Sequence, residues 1–148
     1  MVPVAPGRAA QALEEGVVEP AVTGMRWAPA GLRGRALVTD ELGCATRQGH
    51  PISTAMLDLE TFCRLDHLLI SPSGDTTGIV DTPLASIGRS RRIRATTPSF
   101  LAAPLIVADS DLILTAPKRL LTFMARRVPL EVLDAPSALS LPSFRLGM

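Results

Sequence analysis

RRIRATTPSFLAAPLIVADSDLILTAPKRL, residues 91–120, decides the fold. From Arg92 to Thr96, charged or polar side chains alternate with Ile93 and Ala95, the two-residue period of a half-buried strand. Thr97-Pro98-Ser99 breaks that strand. Ser99 fits as the N-cap of a helix over Phe100–Ala108, which Asp109-Ser110-Asp111 ends. Leu112-Ile113-Leu114 is a short apolar run of the kind buried on both faces of a sheet. Thr115-Ala116-Pro117 then predicts a second helix cap, with proline in the first turn where its missing N–H does little harm. Two strand-to-helix junctions therefore lie close together. If their strands are neighbours in one parallel sheet, both helix N-termini stand at its carboxyl edge, where open α/β sheets hold ligands.

Working outward, the same alternation of short strands and helices continues. Ala9, Ala12 and Leu13 give Gly7–Glu15 one apolar face, and Gly16 fits as a helix stop. Val17–Thr23 reads as a short strand, Gly24–Gly34 as a loop holding Trp27, and Arg35–Thr46 as two strand pieces around Asp40-Glu41. Gln48-Gly49-His50-Pro51 is a turn, with a surface imidazole expected. Asp58 is a good N-cap for a helix over Leu59–Leu65 that buries Leu59, Phe62 and Cys63. His67–Ser71 reads as a strand and Pro72-Ser73-Gly74-Asp75 as the loop at its carboxyl end. Ile79–Ile87 has helical spacing closed by Gly88, and Leu130–Leu133 and Phe144–Met148 read as strands. The sum is an α/β chain with an at least partly parallel sheet.

Composition narrows the function classes. The 148 residues suit one domain, and 47% hydrophobic content with a mean hydropathy of +0.28 rules out wholesale disorder. A net charge of +1 gives no general pull toward nucleic acid or an anionic membrane. The two cysteines, Cys44 and Cys63, are expected as reduced thiols. The N-terminus lacks the pattern of a secretory signal, and the longest apolar run falls far short of a membrane span, so a cytoplasmic location is expected. Ser, His and Asp are present without a G-x-S-x-G, H-E-x-x-H or P-loop pattern, so no enzyme, metal or cofactor is expected. Cys63 and His67 have the spacing of helix-borne ligands, but the helix is expected to end near Leu65.

Three segments together resemble the effector-binding domain of LysR-type transcriptional regulators. They are ALEEGVVEPAVTG (12–24), Leu37–Pro51 ending in RQGHP, and Leu57–Met148 with HLLISPSG, GIVDTPLASIG, residues 91–120 and PLEVLDAP. The resemblance implies a two-lobed, periplasmic-binding-protein-like (type 2) fold holding a small effector between lobes. It implies a partial first lobe over 1–46, a largely complete second lobe over 47–140, and a strand over 141–148 returning toward the first lobe. The family's helix-turn-helix, the start of its first lobe and its closing tryptophan-histidine segment have no counterpart here. The chain thus reads as a truncated fragment, without direct DNA contact, whose ligand affinity should be poor. Its expected partners are a carboxylate or aromatic acid and a second copy or an intact regulator. The alternatives are a remnant with no function of its own and a solute-binding protein of similar fold.

The candidate ligand residues are Ser71, Ser73, Thr97, Pro98, Ser99 and Thr115. Each hydroxyl stands where a strand ends and can either cap a helix or donate to a bound carboxylate. The competing reading for Ser99 and Thr115 is capping alone. Arg89, Arg91, Arg92 and Arg94 lack interleaved aromatics and read as a solvated strand edge, where charge discourages edge pairing. Pro83 and Pro104 fall inside predicted helices. There each removes a hydrogen bond at a cost on the order of 3 kcal/mol, unless the helix begins later or bends.

Overall fold

Local signals set most of the elements. The structure is a computed structural model and describes residues 8–17, 23–24, 35–52 and 56–147. The chain divides into two compact units, Met1–Asp40 with Ser143–Met148, and Glu41–Pro142. The first holds α1 (Ala9–Glu14), β1 (Thr23–Gly24), β2 (Ala36–Asp40) and β8 (Phe144–Gly147), with its strands in the antiparallel order β1-β8-β2. Gly16, at φ 67°, follows α1 as the expected stop. Most of the strand and loop expected over 17–34, including Trp27, lies outside the described residues.

The second unit is a five-stranded sheet in the order β5-β4-β6-β3-β7. Its strands are β3 (Leu42–Arg47), β4 (Asp66–Ile70), β5 (Arg92–Thr97), β6 (Ile113–Pro117) and β7 (Leu130–Asp134). β4 pairs parallel with both β5 and β6, while β3 runs antiparallel to β6 and β7. The boundary expected after residue 46 falls inside β3, all of which belongs to this unit.

Four helices accompany the sheet: α2 (Leu59–Arg64), α3 (Asp81–Ser86), α4 (Ala102–Ala108) and α5 (Lys118–Ala125). Two apolar clusters, one on each face, explain why β4 and β6 are apolar on both sides. Ala45, Leu68 and Leu114 pack with Ala103, Val107, Leu121 and Met124 of α4 and α5. Cys44 and Ile113 pack with Phe62 of α2, Val80, Leu84 of α3 and Leu139. Each such Leu, Ile or Phe, wholly out of water, stabilises by roughly 1.5–3 kcal/mol.

α2 starts where the sequence predicts. The Asp58 Oδ1 accepts from the Thr61 backbone N–H at 2.7 Å, which holds this carboxyl below its usual range. The two prolines do not interrupt regular helix, because both helices begin later than expected. α3 starts at Asp81 and α4 at Ala102, which places Pro83 and Pro104 in their first turns. Three further expectations fail. The strands β5 and β6 are not neighbours, since β4 lies between them. Thr115 caps no helix, since residues 115–117 are the end of β6, held extended by Cys44↔Thr115 and Leu42↔Pro117 pairing with β3, and Pro117 stands at the N-cap of α5 rather than inside its first turn. His50 is also buried rather than on the surface, and its Nδ1 accepts from the Ile52 N–H at 3.3 Å.

Candidate functional site

The carboxyl edge of β4, β5 and β6 collects the predicted hydroxyls, though in unequal roles. Ser71 follows β4, and its N–H donates to the Thr97 carbonyl at 2.9 Å, extending the β4–β5 ladder by one bond. Ser71 is 7% exposed, and its Oγ is buried with no hydrogen-bond partner among the described residues. A buried hydroxyl without a partner costs about 1–3 kcal/mol; the Thr46 Oγ1 of β3 is in the same condition, but of the two only Ser71 stands at this edge.

Register places Thr115 nearby. His67↔Ile113 and Leu68↔Leu114 are the paired residues, so Thr115 follows two residues after Ile113 on the strand next to β4. The two-residue alternation then puts His67, Leu69 and Ser71 on the face that carries Ile113 and Thr115. The Thr115 Oγ1 lies 3.6 Å from the Cys44 Sγ. Burial pushes the Cys44 thiol up to about 11, so it stays protonated and unreactive at neutral pH.

Thr97 and Ser99 build the turn that enters α4. The Thr97 Oγ1 accepts from the Ser99 N–H at 3.3 Å, and the Ser99 Oγ accepts from the Ala102 N–H at 3.1 Å. Ser99 therefore caps, and removing that oxygen has a defined consequence: Ser99→Ala should lower stability by about 1 kcal/mol, read as a shifted urea midpoint at constant slope. An unchanged midpoint would show that the cap contributes nothing. Pro98 is exposed between them, and Ser73 is exposed with its Oγ donating to the Asp75 carboxylate. Among the described residues, no three His, Cys, Asp or Glu side chains gather as a metal site.

A second polar group, behind this edge, was not read from the sequence. Arg91 is not a solvated edge residue like Arg92 and Arg94. Its side chain is 2% exposed, with Nε 2.8 Å from the Asp81 Oδ1 and Nη2 3.0 Å from Oδ2. Asp81 Oδ2 also accepts from the Gly78 N–H. Arg91 Nη1 lies 3.4 Å from the Nδ1 of buried His67, whose Nε2 donates to the Phe62 carbonyl at 2.8 Å. Burial, with Arg91 alongside, pushes His67 down to about 4, so it is neutral with Nδ1 as acceptor. The bidentate Arg91 guanidinium keeps the Asp81 carboxyl below its usual range against the opposing effect of burial. The sequence signal for this group was an aspartate in the first turn of one predicted helix and an arginine shortly after its end.

The fold matches known proteins. A family model described as the LysR substrate binding domain matches residues 2–147. The chain belongs to the LysR substrate-binding-domain family. It is similar to the HTH-type transcriptional activator NahR of Pseudomonas putida, 33% identical over 138 residues, 93% of this chain and 45% of NahR. Among solved structures, the probable transcriptional regulator PA0477 from Pseudomonas aeruginosa matches with a TM-score of 0.87 at 23% identity, over 99% of this chain and 49% of that one. The BenM effector binding domain, solved with its effector benzoate, matches with a TM-score of 0.70 at 17% identity, over 98% of this chain and 67% of that one. At such identities the two structures establish the fold alone, a periplasmic-binding-protein-like α/β architecture. The LysR-family chain spans less than half the length of NahR. Its family is one of transcriptional regulators, and no helix among its described residues is long and apolar enough to cross a membrane.

Proposed function

We propose that this chain is the effector-binding portion of a LysR-type transcriptional regulator, taking a small carboxylate or aromatic acid at the carboxyl edge of β4, β5 and β6. One observation carries the reading: the buried Ser71 Oγ has no partner at the edge where an incoming carboxylate can accept from it. Thr115 supplies a second hydroxyl on the same face, Thr97 and Ser99 shape the neighbouring turn, and Ser73 and Pro98 form the exposed rim. The unit Glu41–Pro142 corresponds to the second lobe, and Met1–Asp40 with Ser143–Met148 to part of the first. No residue of this chain is assigned a DNA contact or a catalytic step, and its place of action is the cytoplasm. Pairing with a second copy or an intact regulator is supported by Leu101, Leu105 and Ile106, which leave one side of α4 apolar and exposed.

Benzoate, the effector named for BenM, is the first probe. Titrated into 15N-labelled chain, it should shift the amides of Ser71, Thr97 and Thr115. Ser71→Ala should weaken binding roughly tenfold, the value of one hydrogen bond to a charged group, while stability of the free chain holds or rises by about 1 kcal/mol, because a buried polar group without a partner among the described residues is removed. If benzoate and a panel of short aliphatic and aromatic carboxylates leave all three amides unmoved, this edge is not the effector site.

A further inference from the structure

The Arg91–Asp81 pair does more than join β5 to α3, because Asp81 also holds one end of the loop that Ser71 begins. That loop turns at once, with the Gly74 N–H on the Ser71 carbonyl at 3.2 Å and Gly74 at φ 82°. It ends at Gly78, whose N–H is bonded to the Asp81 carboxylate. Gly78 lies directly against β4: a Cβ there would stand 2.6 Å from Leu69 Cδ1 and 3.4 Å from Arg91 Nη2. Leu69 stands two residues before Ser71, and the alternation along β4 puts both on the face that carries Ile113 and Thr115. The far end of the loop is therefore tied down over the strand positions next to the candidate hydroxyls. The tie is rigid, since the guanidinium is buried, bidentate and braced from behind by His67.

We infer that Arg91 and Asp81 are positioning residues that latch the 71–78 loop onto Leu69 and so fix one wall of the site beside Ser71 and Thr115. This rests on the reading of that edge as the ligand site, so the test separates the two. Amide hydrogen exchange on the full chain is compared for Asp81→Asn, Gly78→Ala and, as a control on the opposite face, Val107→Ala. Asp81→Asn and Gly78→Ala should speed exchange at Gly74 and Gly78 roughly tenfold beyond any change at β3 and β7 amides. Val107→Ala should move loop and sheet amides together. If loop and sheet amides shift by one common factor in all three variants, the residues act on global stability alone and the latch is overturned. Benzoate titration of the same variants gives the second readout. Faster loop exchange with weakened benzoate binding supports the latch as a positioning device. Faster loop exchange with unchanged benzoate binding overturns the positioning role and leaves only the loop's anchorage, while the reading of the edge stands or falls separately on the amide shifts of Ser71, Thr97 and Thr115 in the parent chain.

Discussion

Asp81→Ala should destabilise the protein by about 3–5 kcal/mol, because it strands a buried guanidinium without its counter-charge. Arg91 is 2% exposed, so water cannot replace the two carboxylate oxygens now at 2.8 and 3.0 Å. The neighbouring His67 Nδ1, at 3.4 Å, is a neutral acceptor and cannot balance a positive charge. The Gly78 N–H loses its acceptor as well. A domain of this size has roughly 5–15 kcal/mol to lose, so the variant should be largely unfolded at urea concentrations where the parent is native. Replacing the whole pair with apolar side chains, Asp81→Leu with Arg91→Met, should recover much of the loss, since the penalty belongs to the unpaired charge. A single variant within 1 kcal/mol of the parent would show that the guanidinium finds solvent.

Acidification should have the next largest effect. An unfolded histidine takes up a proton near 6.5, whereas buried His67 resists it down to about 4. Between those values the unfolded chain binds more protons than the native one, so stability falls as pH falls through the window and the His67 contribution levels off below it. The gap corresponds to a loss of about 3 kcal/mol. Burial is the main cause. Of the charged groups around the ring, Arg91 opposes protonation, while Asp81 and Asp66 favour it too weakly to offset burial. Asp81, held below its usual carboxyl range, adds a further loss only at lower pH. Urea melts from pH 7 to 4 should show the decline, and His67→Gln should flatten it. A parent whose stability is level across that range would mean the imidazole is reached by water.

The elements that the sequence announces are those set by short-range chemistry. Asp58 caps α2 through an N–H three residues on, Ser99 does the same at Ala102, and Gly88 adopts φ 67° one turn after α3. The alternation of Ile93 and Ala95 marks β5 without reference to any partner. Thr115 misled because the same three residues suit a cap or a strand end, and the choice was made by β3, some seventy residues earlier in the chain. Arg91 misled for a related reason. Four arginines in six positions look alike in sequence, and only the meeting with the Asp81 carboxylate and His67 selects one of them for burial.

What the sequence by itself determined, then, is the α/β class, the element order, the family resemblance, and that the loop hydroxyls fall at strand ends. Each follows from periodicity, capping and motif spacing within a few residues. Tertiary structure alone decided that β4 lies between β5 and β6, that the Ser71 hydroxyl is buried at this edge without a partner among the described residues, and that Asp81, Arg91 and His67 meet. Those facts depend on which distant strands pair and which side chains lose water when they do. Desolvation is a property of the packed chain, and no local pattern carries it.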